Sequence, residues 1–178
     1  MKSIFNILLL TISGVAYSQV IIGDDLGTAT NKTSVLLEFA NTGNKGIILP
    51  YVRTMPSSPT EGTILLDAST STTARIKFYN GSWVDLSGQN ADLTTALTSQ
   101  PTGITESNAK AIIGADTSTA DGVLVLESQT KAMVLPIVPS TDDVPSPSPG
   151  MMVYVNKTGA KRLAVYNGNK WSFWAPTN

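Results

Sequence analysis

The chain carries one structural pattern twice. Residues 20–86 begin with Val20-Ile21-Ile22-Gly23, pass through Val35-Leu36-Leu37-Glu38 and Ile48-Leu49-Pro50, and close on Tyr79-Asn80-Gly81-Ser82-Trp83. Residues 111–174 begin with Ala111-Ile112-Ile113-Gly114, pass through Leu124-Val125-Leu126-Glu127 and Val134-Leu135-Pro136, and close on Tyr166-Asn167-Gly168-Asn169-Lys170-Trp171. The order is the same, and the spacing from proline to tyrosine differs by a single residue. Self-similarity at this period means two copies of one structural unit. A unit of roughly 65 residues buries only about 60% of its unfolded surface, so it is marginal alone. It needs a neighbour: the other repeat, another subunit, or both.

Short runs rich in Val, Ile, Leu, Tyr and Phe alternate with clusters of Gly, Pro, Ser, Thr and Asn, an all-β pattern. The expected fold is two tandem β-rich modules, each a small sandwich or sheet unit ending in a Tyr-Asn-Gly-x-Trp hairpin. In each, strands are expected at 20–22, 34–39, 46–49 and 63–67, and at 111–113, 122–127, 132–135 and 150–155. Proline-rich connections (Pro56 to Pro59; Pro139 to Pro149) precede the fourth strand. Asn80-Gly81 suits a two-residue turn, which would set Tyr79 opposite Ser82 and Phe78 opposite Trp83. A bulged three-residue turn in the second copy would set Tyr166 opposite Lys170 and Val165 opposite Trp171. Each module is expected to hold its own core: Leu36, Leu49, Ile64, Phe78 and Trp83 in one, Leu124 or Leu126, Leu135, Met152, Val165 and Trp171 in the other.

The domain reading is a signal peptide at 1–18, a first module at 19–88, a linker at 89–110 and a second module at 111–178. Lys2 supplies a positive start, Ile4 to Ile12 a short apolar run, and Ala16-Tyr17-Ser18 a small-x-small site before Gln19. The apolar run is shorter than the ~20 residues of a membrane span. The chain is therefore expected to be secreted or displayed at a bacterial cell surface. The complete absence of cysteine fits bacterial export better than a disulfide-stapled animal domain, and it excludes a lipidated N-terminal cysteine. Removing residues 1–18 takes Lys2 away and moves the formal charge from -1 to -2. No basic face for nucleic acid is indicated, and Lys157, Lys161 and Arg162 read as a solvated strand edge. The polar linker is expected to be exposed, with a helical turn or two between Asp92 and Thr98 capped by Asn90 or Asp92.

Taken together, the landmarks look familiar. A Leu-rich strand ending in Glu, the Lys45-to-Pro50 step, a Pro/Ser-rich stretch, a Gly-led strand (Gly62; Gly150) and a terminal Tyr-Asn-Gly-x-Trp hairpin resemble a repeat module of secreted bacterial surface proteins and of phage-type tail-fibre shafts. The family often has Arg after the Leu-Pro step, where this chain has Tyr51 and Ile137. The resemblance implies an extracellular structural or adhesive β-module and not an enzyme.

The residue inventory agrees. There is no histidine and no cysteine, which removes the commonest general base, thiol catalysis and the commonest transition-metal ligands. The doublets Asp24-Asp25 and Asp142-Asp143 lack the spaced pattern of a calcium loop and read as solvated turns. No cofactor is expected. The first reading is a non-enzymatic structural protein that self-associates, as a homo-oligomer or fibre subunit. The alternatives are a carbohydrate-binding adhesin that engages surface glycans through exposed aromatics, and a carboxylate-based hydrolase. The candidate ligand or assembly contacts are Val20, Ile21, Ile22, Tyr51, Tyr79, Tyr166 and Trp174. Trp174 has Leu86 in its place in the first copy and is the aromatic expected to be exposed. Trp83 and Trp171 occupy matching places, as core packing requires. The apolar strand at Val20–Ile22 could dock in its own module or complete the sheet of a neighbouring subunit, which would give head-to-tail association.

Overall fold

A computed structural model describes residues 19–103 and 110–174; the expected signal peptide lies outside them. The fold is all-β. In the first half the strands are β1 (Val20–Ile22), β2 (Val35–Phe39), β3 (Ile47–Ile48), β4 (Tyr51–Val52), β5 (Ile64–Asp67), β6 (Arg75–Tyr79) and β7 (Trp83–Asp85). The second half repeats them as β8 (Ala111–Ile113), β9 (Leu124–Leu126), β10 (Ala132–Val134), β11 (Ile137–Val138), β12 (Met151–Val155), β13 (Arg162–Tyr166) and β14 (Trp171–Trp174).

Most of the pairing is duplicated. β1 lies parallel to β2, and β8 parallel to β9. β4 lies parallel to β5, which continues antiparallel through β6 and β7; β11 to β14 do the same. The Leu-Pro step places these sheets. A proline has no N–H to give to a ladder, but its carbonyl still accepts. Pro50 O takes the Leu66 N–H at 3.0 Å, and Pro136 O takes the Tyr154 N–H at 2.9 Å. Each proline thus ends one strand and starts the short parallel strand after it, β4 or β11.

Two pairings cross between the halves. β10 lies parallel to β2, with Met133 beside Leu37 and Val134 beside Glu38. β3 lies antiparallel to β12, with Ile48 beside Met151 and Ile47 beside Met152. The close approach needs Gly46, where an added Cβ would sit 2.6 Å from Met151 Cγ and 2.8 Å from Met152 O.

This interleaving overturns the expectation of one core per module. A single cluster joins Leu49, Leu66 and Ile76 of the first half to Met152 and Val165 of the second. A smaller cluster belongs to the second half alone, around Val138, Val153 and Ala164, with Tyr166 and Trp171 packed on it. The segment expected to be an exposed linker also enters the shared core. Ala91, Leu93 and Leu97 are buried, and Ala91 exchanges hydrogen bonds with Ala74 at 2.9 and 3.0 Å. Apolar side chains every few residues were enough to pull a polar-looking stretch inward. Among its described residues the helical element is a short 3-10 turn, Ala96–Ser99, preceded by Thr95 and with no side-chain cap, where the sequence suggested a turn or two between Asp92 and Thr98 capped by Asn90 or Asp92.

The hairpin register is also one residue from expectation. Tyr79 pairs with Trp83, and Tyr166 with Trp171. Each pair brings its rings to 5.3 Å between centroids, inclined at 61° in the first copy and 47° in the second. Direct cross-strand aromatic contact is worth roughly 0.5–1.5 kcal/mol beyond burial, which a register with Tyr79 opposite Ser82 would forgo. The longer loop of the second copy is held from inside. Asn167 is fully buried, its Oδ1 accepts the N–H groups of Asn169 and Lys170, and its Nδ2 donates to Gln89 O. Trp171 is half-buried, so Trp171→Ala is expected to cost about 2 kcal/mol, below the 3–5 of a fully buried aromatic. Urea denaturation would measure it, and a loss under about 0.5 kcal/mol would show that the ring contributes only surface contact.

Candidate assembly interface

The candidate contact residues fall into three groups. Val20 and Ile21 are half-buried and Ile22 is exposed, and all three pair with β2 of their own chain: Val20 with Leu37, Ile21 with Glu38, Ile22 with Phe39. Within the single chain the initial strand thus docks in its own module, one of the two arrangements that the sequence allowed. Its home edge is favoured because β2 is the most buried strand of the first half and its amides on that side need partners.

Tyr51, Tyr79 and Tyr166 form the second group. All three are half-buried. The Tyr51 hydroxyl donates to Pro149 O at 2.7 Å, and burial pushes its pKa up. Tyr79 and Tyr166 pack on their tryptophans. With ring planes inclined at 61° and 47°, neither pair makes a flat stacking surface.

Trp174 stands apart. It is 44% exposed, and its Nε1 donates to Leu86 O at 3.0 Å. Beside it on β14, Phe173 is exposed, with the Arg162 guanidinium 4.0 Å from its ring centroid. Arg162, read from sequence as part of a solvated basic edge, is half-buried against that ring.

The charged side chains serve the turns and strands. Asp24 Oδ1 accepts the Leu26 and Gly27 N–H groups, and Ser140 Oγ caps the turn that holds Asp142 and Asp143. Asp67 pairs with Lys77, and Asp85 with Arg75. Desolvation would raise the Asp67 pKa, but the Lys77 ammonium and Ser69 outweigh it and hold it below the usual carboxylate value. Among the described residues, no group of acidic side chains could hold a metal ion, and no helix is long and apolar enough to cross a membrane.

Besides Leu26 in the turn after β1, 79% exposed, apolar side chains that the sequence did not single out are exposed on or beside strands. Ile48 is 55% exposed, Val123 70% and Leu124 49%. Among the described residues β9 pairs with β8 alone, which leaves its other edge open there. The signal was present in the repeat itself: Val35 and Leu124 hold the same place, but Val35 is 4% exposed because β10 lies beside it. An open strand edge carrying apolar side chains is a template for another chain.

No curated protein and no solved structure matches this chain. Residues 112–177, which span almost all of the second repeat with its open β9 edge and the exposed end of β14, match the family described as the phage tail like trimerisation region, and the tandem β-repeat is thereby similar to the modules of phage-type tail-fibre shafts.

Proposed function

We propose that this protein is a non-enzymatic structural subunit that associates with itself into a trimer, as an element of a fibre, and that it does so outside the cell after removal of residues 1–18. The match of residues 112–177 to a trimerisation region carries this reading. The open, apolar edge of β9 within that span supports it, because an isolated chain leaves hydrogen-bonding groups and large apolar side chains in water together. Export rests on the signal-peptide pattern before Gln19.

Mass measurement on the secreted protein tests both parts. The expected result is a chain beginning at Gln19, with a native mass three times that of the chain by light scattering. A native mass equal to one chain at high concentration would sink the assembly reading. A chain retaining residues 1–18 would sink the export reading alone.

A further inference from the structure

We infer that β3 of a second copy of this chain pairs in parallel with the open edge of β9, setting Ile47 beside Leu126 and Ile48 beside Glu127. This rests on the self-association proposed above and names the contact through which it occurs.

The argument uses the repeat as its own template. β3 and β10 are equivalent strands, each leading into a Leu-Pro step. β2 and β9 are likewise equivalent through the runs Val35-Leu36-Leu37-Glu38 and Leu124-Val125-Leu126-Glu127, with Glu127 directly after the last residue of β9. Within the chain, β10 occupies the edge of β2, with Met133 beside Leu37 and Val134 beside Glu38. Carrying this pairing over by equivalence puts Ile47–Ile48 on Leu126–Glu127. Both partners are unsatisfied. Among the described residues β3 is held on one side by β12 alone, and β9 on one side by β8 alone. Ile48 and Leu124 are each about half exposed, at 55% and 49%. The free amide is in the right place as well. Glu127 N–H donates to Ile113 O at 2.9 Å, and successive amides along a strand face opposite edges, so the Leu126 N–H faces the open side.

A second pair of equivalent places gives the same answer. Leu49 N–H donates to Gly150 O at 3.0 Å where β3 meets β12, and a Cβ on Gly150 would lie 3.2 Å from Leu49 O. Gly62 is the counterpart of Gly150 and has open space around it. The matching occupant is Leu135, at the end of β10 in a neighbouring chain. If β3 of one copy docks on β9 of another, the free side of that other copy's β10 can reach β5 near Gly62 of the first. One junction between subunits then repeats both contacts already seen between the two halves of a single chain. Such a contact is head-to-tail, and three copies with two modules each close into a ring of six similar modules.

Engineered cysteines report the register, since the natural chain has none. Neighbouring residues on paired strands come within disulfide range. Ile48→Cys and Glu127→Cys placed in separate chains and assembled together are expected to link chain to chain on oxidation. Both in one chain are expected to give a covalent trimer. Ile48→Cys with Val123→Cys is the control, as the register separates these positions by about 13 Å, and it is expected to stay unlinked. In the unmodified protein at trimeric mass, the Leu126 amide should exchange hydrogen as slowly as the Leu37 amide. Trimeric mass with fast exchange at Leu126, or linkage within one chain only, overturns this contact and leaves trimerisation standing. A monomeric mass overturns both.

Discussion

Leu66→Ala is expected to lower the unfolding free energy by about 2–5 kcal/mol, the range for deleting a large aliphatic side chain from a packed site. Leu66 is fully buried on β5 and belongs to the cluster that also holds Leu93, Met152 and Val165. The substitution lies in the first repeat, but its cavity opens onto side chains of the second. Both halves should therefore lose stability together. Urea unfolding followed through single-tryptophan variants, one keeping Trp83 and one keeping Trp171, would read each half separately. Coincident midpoints, both displaced by the substitution, are the expected result. The protein concentration must be held fixed, because association contributes to the stability of an oligomer. A second-half transition unmoved by Leu66→Ala would mean that its own smaller cluster, around Val153 and Ala164, suffices to fold it.

The repeat and its strands were legible because both depend on local chemistry. β-branched runs, the Leu-Pro step and the Asn-Gly turns mark strand ends without knowledge of the rest of the chain. What could not be read was which strand lies beside which. Ile47-Ile48 and Met133-Val134 are equally good strand formers, and nothing local says that the first goes to β12 and the second to β2. The error about two cores follows from this, since Leu49, Met152 and Val165 are core residues as expected but share one cluster. The linker was misjudged for a related reason. Leu93 and Leu97 are too sparse among polar neighbours to signal burial; packing in the shared cluster, the Leu93 N–H to Ser71 O at 2.7 Å and the Arg53 guanidinium donating to Leu97 O at 2.7 Å hold them in place. The assembly residues were half legible. Trp174 stood out because its counterpart, Leu86, breaks the repeat. Ile48 and Leu124 did not, because their exposure comes from a neighbour present at one copy of the site and missing from the other.

Glu38 shows how far two equal residues can diverge, and it gives the second large effect. It lies on β2, next to its last residue, with no exposure at all. Its carboxylate accepts the N–H groups of Thr28 and Ala29, both at 2.9 Å, the Gln19 amide at 2.6 Å, and the Lys32 ammonium. Glu127, its counterpart, is half-buried and accepts from the Ser118 hydroxyl. Glu38→Ala strips several donors of their acceptor at once, and each orphaned donor costs about 1–3 kcal/mol; a total of roughly 3–5 kcal/mol is expected, against about 1 kcal/mol or less for Glu127→Ala. Titration adds a separate signature. Desolvation alone would raise the Glu38 pKa above the usual glutamate value, but the Lys32 contact and the Ala29 and Thr28 amides prevail and lower it. A carboxylate with a depressed folded pKa contributes stability that is fully present above its unfolded pKa and is lost as pH falls through the folded value. The wild-type midpoint in urea should therefore decline as pH drops below about 4.5. Glu38→Gln keeps the shape and one acceptor but cannot titrate, so it should start less stable at pH 7 and fall less steeply below pH 4.5. Equal acid sensitivity in Glu38→Gln and wild type would show that other carboxylates, such as Asp67 beside Lys77, govern acid unfolding and that the buried charge of Glu38 does not.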